Sequence, residues 1–283
     1  MHWFESLQKN KYQFLKFDVV EFYPSISRNL LSKALLFAKQ YTTISKQDET
    51  IIFNAAKSVL FHNGDAYTKR NTASKDDELF DIAMGGYDGA EVCELVGLFM
   101  LDGLNKIIPD GKVALYRDDG LIVIPKQSGR ITEKLSKRIH AFAKSIGLAF
   151  EIEPPNSRVN YLDVMLDLDT HTYSPYRKPN SEIKYINKKS NHPHNITNQM
   201  RGMIENLISR RSSNKEQFDK AAPSYNKALV NNGYEGNITY QEERASKKTR
   251  RKRSRIWFNP PFCKSVKTNL GRIFIESRES CRH

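Results

Sequence analysis

Acidic residues occupy two places in the chain where the flanking residues predict β-strands. Asp18 lies in a segment rich in β-formers, and Asp118 and Asp119 interrupt the apolar run 114–124. Ionised carboxylates in apolar surroundings are costly, so such acids lie either at a turn in water or beside a cation. If the two strands are neighbours in one sheet, the three carboxylates converge and offer the hard oxygen donors that suit Mg²⁺. Two such ions about 4 Å apart can activate an attacking hydroxyl and stabilise a leaving pyrophosphate.

The tripeptide Asp118-Asp119-Gly120 also has a simpler interpretation. Apolar residues on both sides and an Asp-Gly pair predict a β-hairpin with these three residues at its tip. A solvated turn accommodates two acids without a metal. The tripeptide alone leaves both interpretations open.

The elements that must position these acids alternate in type along the chain. Ser27 is the expected N-cap of the first long helix. Apolar periodicity predicts helices over 28–41, 48–61, 89–107 and 131–146. Short strands are expected at 14–20, 149–152 and 159–168, besides the hairpin. This order predicts an α+β fold in which helices cover one face of a small antiparallel sheet.

The charge of the chain favours a polyanionic partner. It carries 45 Lys and Arg against 32 Asp and Glu, a formal net charge of +13. A nucleic acid backbone is the commonest polyanion for such a chain. The alternative is a basic structural protein.

Cysteine usage and hydropathy indicate an intracellular protein, nuclear or cytoplasmic. Cys93, Cys263 and Cys281 are odd in number and widely separated, which argues against a disulfide framework. No apolar stretch approaches the roughly 18 residues that a membrane span needs, so no membrane partner is expected.

The chain changes character after residue 170, where prolines, lysines and asparagines become frequent, and helices are expected within 201–230. The run 247–255 holds seven basic residues in nine. It either neutralises phosphates, serves as a nuclear localisation signal or forms a solvated tail. The residues expected to contact nucleic acid there are Lys247, Lys248, Arg250, Arg251, Lys252 and Arg253.

Two sequence motifs resemble those of reverse transcriptases. The stretch DVVEFYPSI, which begins at Asp18, looks like motif A, and the stretch YRDD, which begins at Tyr116, matches the YxDD box of motif C. They occur in the order of that family. The resemblance implies a polymerase palm in which Asp18, Asp118 and Asp119 are catalytic and bind Mg²⁺ or Mn²⁺.

The same resemblance implies a nucleotide-binding surface around these acids. Tyr23 falls where the family keeps its steric gate against the ribose 2′-OH. The other residues expected beside the substrate are Phe22, Tyr116, Arg117, Gly85 and Gly86. The two glycines lie where motif B should be, but the Gln-Gly and Ser-Pro signature is absent, and a plain glycine-rich helix entry fits equally well.

Downstream stretches resemble Penelope-like and related retroelement enzymes. YLDV at 161–164, YRKPN at 176–180 and SNHP at 190–193 resemble segments that accompany the palm in those enzymes. Arg177 and Lys178 are therefore expected to contact nucleic acid. Only seventeen residues precede Asp18, so the resemblance implies an N-terminally truncated copy with the fingers largely missing.

These observations predict three regions and one activity. Residues 1–170 form the palm, 171–232 a thumb or connection-like region, and 233–283 a basic C-terminal region expected to be flexible. The activity that the resemblance implies is that of an RNA-directed DNA polymerase, a nucleotidyltransferase of retrotransposon origin. It transfers a nucleotide from a dNTP to the 3′-hydroxyl of a DNA primer on an RNA template. The alternative is a catalytically inactive, nucleic-acid-binding remnant of such an enzyme.

Overall fold

A computed structural model describes residues 2–55, 60–67, 82, 88–109 and 111–242. These residues form an α+β fold. In chain order the elements are α1 (His2–Glu5), β1 (Tyr12–Val19), α2 (Phe22–Ser25), α3 (Arg28–Ala38), α4 (Lys46–Ala55), β2 (Leu60–His62), β3 (Asp65–Tyr67), α5 (Gly89–Ile107), β4 (Lys112–Tyr116), β5 (Asp119–Pro125), α6 (Gly129–Ser145), β6 (Phe150–Ile152), β7 (Arg158–Tyr161), β8 (Val164–Asp167), β9 (Thr172–Pro175), α7 (His194–Arg210) and α8 (Lys215–Asn231).

The central sheet has four antiparallel strands in the order β4-β5-β1-β6. Side chains alternate between its two faces, as the pleat requires. On β1, Leu15 and Phe17 point to one face and Phe14 points to the other. Both faces are covered, which explains why β1 and β5 are largely buried along their length.

Helices α3, α5 and α6 cover the face that carries Leu15 and Phe17. Their buried side chains recur three or four residues apart, which places them on one side of each helix. They are Leu30, Leu31, Ala34 and Leu35 of α3, Val92, Val96 and Met100 of α5, and Ile139 and Ala143 of α6. Together with the sheet they form one hydrophobic core.

The opposite face of the sheet packs against a three-stranded sheet, β7-β8-β9, and against α1. Phe4 of α1 is buried there, stacked on His171 at 5.2 Å between ring centroids and edge-on to Tyr173. Phe14, Leu121 and further residues complete this second core.

Helices α7 and α8 form a third core with the segment that follows them. Ile204, Ile208, Phe218 and Leu229 are its most buried members. Asn214 caps α8 by accepting a hydrogen bond from the N–H of Gln217 at 3.0 Å. Among the helices within the described ranges, none combines the length and the apolar character of a membrane span.

The sequence predicted most of these elements, and two of its predictions are wrong. Leu60 begins a strand, although the periodicity predicted helix to residue 61. The segment 159–168, predicted as one strand, is the hairpin β7-β8, in which Leu162 adopts a left-handed φ of 54°. Leucine is an unusual residue at such a turn, so the sequence carried no signal for it.

The N-cap of α3 makes a testable contribution to stability. The hydroxyl of Ser27 accepts a hydrogen bond from the N–H of Leu30 at 3.1 Å, and Ser27 is buried. We expect Ser27→Ala to lower the free energy of unfolding by about 1 kcal/mol, because an orphan N–H is then left inside the protein. Urea denaturation measures the change. Ser32→Ala, in the same helix but exposed, is the matched control and should change stability by less than about 0.5 kcal/mol.

Candidate active site

Two carboxylates stand opposite one another where the central strands β1 and β5 end. The pair is antiparallel, and Asp18 lies directly across from Asp119. Directly opposed residues point to the same face, with Cα atoms about 4.5–5.5 Å apart. The N–H of Val19 donates to the carbonyl oxygen of Asp118 at 3.0 Å, which fixes the hairpin against β1.

The same row extends across all four strands of the sheet. Tyr116 on β4 is the partner of Asp119, and Glu151 on β6 is the partner of Asp18. Four neighbouring strands therefore present Tyr116, Asp119, Asp18 and Glu151 side by side. Glu151 was not recognised from the sequence. The alternation in Phe150-Glu151-Ile152 shows that Glu151 lies on the face opposite to its neighbours. Which face of the sheet that is becomes clear only from the pairing of β6 with β1.

The acids of this row repel one another. The pKa of Asp18 is raised above its ordinary value of 3.8, first by partial burial and then by the charges of Asp118, Asp119 and Glu151. Lys16 opposes this shift, but its ammonium group already pairs with Glu153 at 2.9 Å. The row is thus a site of excess negative charge on the sheet surface.

Within the part of the chain that the structure describes, no three His, Cys, Asp or Glu side chains form a ready-made metal cluster. The acids are near enough to shift the pKa of Asp18, yet their oxygens do not converge on one point. Carboxylates that repel one another rotate apart, and a bound cation draws them together.

The hairpin turn lies earlier in the chain than the predicted tip, Asp118-Asp119-Gly120. Because Tyr116 pairs with Asp119, the two turn residues are Arg117 and Asp118, and Asp119 and Gly120 belong to β5. Arg117 adopts a φ of 57°, and its guanidinium lies 5.6 Å from the ring centroid of Tyr116. Asp118 therefore projects from the turn, whereas Asp119 has its direction fixed by the strand.

Gly120 makes room for an aromatic ring beneath the row. It is the strand partner of Phe17, and the ring of Phe17 lies where a Cβ at Gly120 would be. Phe17 is fully buried and stacks on Phe150 at 5.0 Å between ring centroids. The acids thus stand on one face of the sheet, above a closed layer of aromatic side chains.

Tyr161 joins the second sheet to this site. Its hydroxyl donates to the carbonyl oxygen of Asp119 at 3.3 Å. Burial, and secondly the charge of Asp119, raise the pKa of Tyr161 to about 12. The phenol therefore stays protonated as a donor at neutral pH and restrains the start of β5.

The two aromatic residues after Asp18 lie in different environments. Phe22, which was predicted to contact substrate, is only 3% exposed and belongs to the helix-side core, so little of its side chain is accessible. Tyr23 is half-buried, and its phenol lies near the buried thiol of Cys93. Burial chiefly raises the pKa of Tyr23, and Asp118 is among the nearby charges that contribute.

The other predicted residues lie apart from the row or outside the described ranges. Arg177 and Lys178 follow β9, where the Arg177 guanidinium donates to the carbonyl of Ser181 and Lys178 is exposed. Gly85 and Gly86 lie outside the described residues. So do the basic residues predicted to contact nucleic acid: Lys247, Lys248, Arg250, Arg251, Lys252 and Arg253.

Two solved structures resemble this chain at low sequence identity. No protein-family model matches it, and no curated protein matches it. It is similar to apo telomerase from Candida tropicalis truncated from its C-terminal domain, with 14% identity, a TM-score of 0.42, and coverage of 58% of this chain and 35% of that chain. It is also similar to telomerase from Candida albicans in complex with the TWJ fragment of telomeric RNA, with 12% identity, a TM-score of 0.35, and coverage of 60% and 32%. The chain spans about a third of the length of these telomerase structures.

Proposed function

We propose that this chain carries a palm that transfers nucleotides from dNTPs to the 3′-hydroxyl of a DNA primer on an RNA template. The observation that carries the proposal is the register of β1 and β5, which sets Asp18 opposite Asp119 with Asp118 in the adjoining turn. The motif resemblance to retroelement reverse transcriptases, Penelope-like ones included, supports the same reaction. We also propose that the chain derives from a retroelement of the Penelope-like or a related group.

The residues fit a magnesium ion in charge and in donor type. Carboxylate oxygens are the ligands that Mg²⁺ takes from proteins, usually one or two of them together with substrate phosphates and water. The raised pKa of Asp18 indicates negative charge that a cation would compensate. We propose Asp18, Asp118 and Asp119 as the ligands. When bound, Mg²⁺ (or Mn²⁺) neutralises phosphate charge and makes a hydroxyl more acidic.

The residues of the chain position the reactants around these acids. Tyr116 is 54% exposed at the end of the row, and Asp18 is also exposed, so one face of the site is open to a nucleotide. The opposite face is closed by Phe17 and Phe150. Fixed strands and a restrained hairpin hold the backbone of the acids in place before substrate arrives, and a bound cation would then draw the carboxylates together. Such preorganisation of the backbone contributes to catalysis.

A second candidate function is nucleic-acid binding without catalysis. It is favoured by the observation that no three acids within the described segments already converge into a metal cluster. In this alternative the fold and the basic surface remain, but no nucleotide is held.

Primer extension distinguishes these functions. The full chain is mixed with a DNA primer annealed to RNA, dNTPs and Mg²⁺ or Mn²⁺, beside an Asp118→Asn/Asp119→Asn variant. The proposal requires extension by the wild type that disappears in the variant. Retained template binding without extension establishes the second function. Equal extension by both proteins would overturn the assignment of the acids.

Magnesium binding has a consequence that does not require activity. We expect Mg²⁺ at ten times its Kd to stabilise the wild-type chain by about 1.4 kcal/mol, because the ion binds only the folded state. The Asp118→Asn/Asp119→Asn variant should gain much less. Thermal melting with and without Mg²⁺ tests this, with Na⁺ at matched ionic strength as the control. Equal shifts in both proteins would place the ion elsewhere.

A further inference from the structure

Helix α6 carries an exposed basic face. Its five basic residues, Arg130, Lys134, Lys137, Arg138 and Lys144, are all exposed, and its one acid is Glu133. The acid pairs with Lys137 at 2.6 Å, but both side chains are largely solvated, and such an exposed ion pair contributes little to stability. The rest of the helix surface keeps its positive charge.

The basic side chains lie along one ridge. Arg130, Lys134, Lys137 and Lys144 follow one another at intervals of four, three and seven residues, which brings them to one side of an α-helix. At 1.5 Å per residue the ridge is about 21 Å long. Two further exposed bases lie side by side before the helix start, because the N–H of Lys126 donates to the carbonyl of Lys11 at 2.8 Å.

The ridge lies on the opposite side of the sheet from the carboxylate row. Ile139 and Ala143 bury the inner side of α6 in the core that also contains Phe17. Asp18 points to the other face of β1. A strand held along α6 therefore does not reach the acids directly, and the ridge is a surface of its own.

The neighbouring helix shows that this charge is local. On α5, which packs against α6 through the ring of Phe142 over Gly103, the exposed acids Glu91 and Glu94 outnumber the single base, Lys106. The net charge of the whole chain does not by itself place its bases on one helix. The concentration on α6 calls for a partner that offers a row of anions.

We propose that the α6 ridge binds the phosphate backbone of a nucleic acid strand outside the candidate active site. A row of Lys and Arg on a rigid helix matches the regular charge of such a backbone. An anionic membrane is less suitable, because an interfacial helix inserts an apolar face. The apolar face of α6 is already used in the core, and Ile131 is the one large apolar residue of the helix that is exposed.

The test is the salt dependence of RNA binding by the full chain. The variant replaces four ridge residues: Arg130→Gln, Lys134→Gln, Lys137→Gln and Lys144→Gln. The probe is a short unstructured RNA, measured by fluorescence anisotropy over a series of KCl concentrations. Each lost phosphate contact lowers the slope of log K against log salt by about 0.7, so we expect a slope smaller by about 3.

The control removes the same charge from scattered exposed positions: Lys33→Gln, Lys46→Gln, Arg210→Gln and Lys227→Gln. A second variant changes the three ridge lysines to Arg and should bind as the wild type does. An unchanged slope in the ridge variant, or an equal decrease in the control, would overturn the proposal. A ridge variant that loses binding to anionic lipid vesicles but binds RNA as the wild type does would also overturn it. Because the readout is binding, the result does not depend on whether the chain extends primers.

Discussion

Replacing Asp18 by Asn is expected to lower primer extension by at least about 100-fold. Asn keeps the size of the side chain but removes the charge from the centre of the carboxylate row, where Asp18 faces Asp119 on one side and Glu151 on the other. If catalysis is mainly charge neutralisation and positioning, the loss should appear in the rate of the chemical step. Single-turnover extension measures it, and RNA binding should change little.

The same substitution should stabilise the folded chain near neutral pH. Since the pKa of Asp18 is raised on folding, the folded state holds that proton more tightly than the unfolded state does. The contribution of Asp18 to stability is therefore most favourable below its ordinary pKa of 3.8 and declines as pH rises through the folded pKa. Asn carries no charge, so it removes the cost of ionising this side chain in the folded state. Urea unfolding should show Asp18→Asn more stable than wild type at neutral pH, and the difference should vanish below pH 3.8.

Asp163→Asn is a matched control for these two effects. Asp163 follows Leu162 in the two-residue turn of the β7-β8 hairpin, the same turn position that Asp118 occupies after Arg117. Its carboxylate pairs with Arg211 at 2.6 Å and is exposed. Its replacement should leave extension unchanged and lower stability by no more than about 1 kcal/mol. Wild-type extension by Asp18→Asn, or a loss of stability at neutral pH, would contradict the assigned role.

The sequence predicted those elements whose signals are local. The strand around Asp18, the cap at Ser27 and the helix 89–107 all appear close to their predicted bounds. Each rests on residues a few positions apart. The two wrong predictions concern segments in which pairing with another strand decides the backbone conformation. The segment 159–168 turns at Leu162 without a Gly or Asn signal, and Leu60–His62 pairs as a strand although its periodicity predicted helix.

The candidate site depends on contacts that are distant in sequence. The sequence predicted that Asp18 and Asp119 lie close together only if their two strands are neighbours in one sheet. Glu151 and Tyr161 could not be assigned to the site at all. Glu151 reaches it because β6 pairs with β1, about 130 residues earlier, and Tyr161 reaches it through a side-chain hydrogen bond to Asp119, about 40 residues earlier. Phe22 looked accessible beside Tyr23, yet the short helix α2 turns it into the core. Register and burial follow from the whole sheet and are not encoded in one segment.

Gly120→Ala is expected to lower the free energy of unfolding by about 2–3 kcal/mol. The new Cβ would overlap the ring of Phe17, and that ring cannot move because it is fully buried against Phe150. Extra volume in a closed core forces strained rotamers or a shift of the strands. A shift here would also displace Asp119, the next residue, so extension should fall together with stability.

Replacing the Phe17 ring with a smaller side chain should relieve this clash. We expect Phe17→Leu alone to destabilise the chain through a cavity, but the double variant Phe17→Leu/Gly120→Ala should lose less stability than the sum of the two single changes. A double-mutant cycle by urea denaturation measures that coupling. Gly129→Ala, at the start of α6 where a Cβ meets open space, should cause no loss. Strict additivity in the cycle would mean that Gly120 is required for another reason. Coupling would establish that the glycine after the two acids serves the aromatic layer, so that the acids and the layer beneath them form one structural unit.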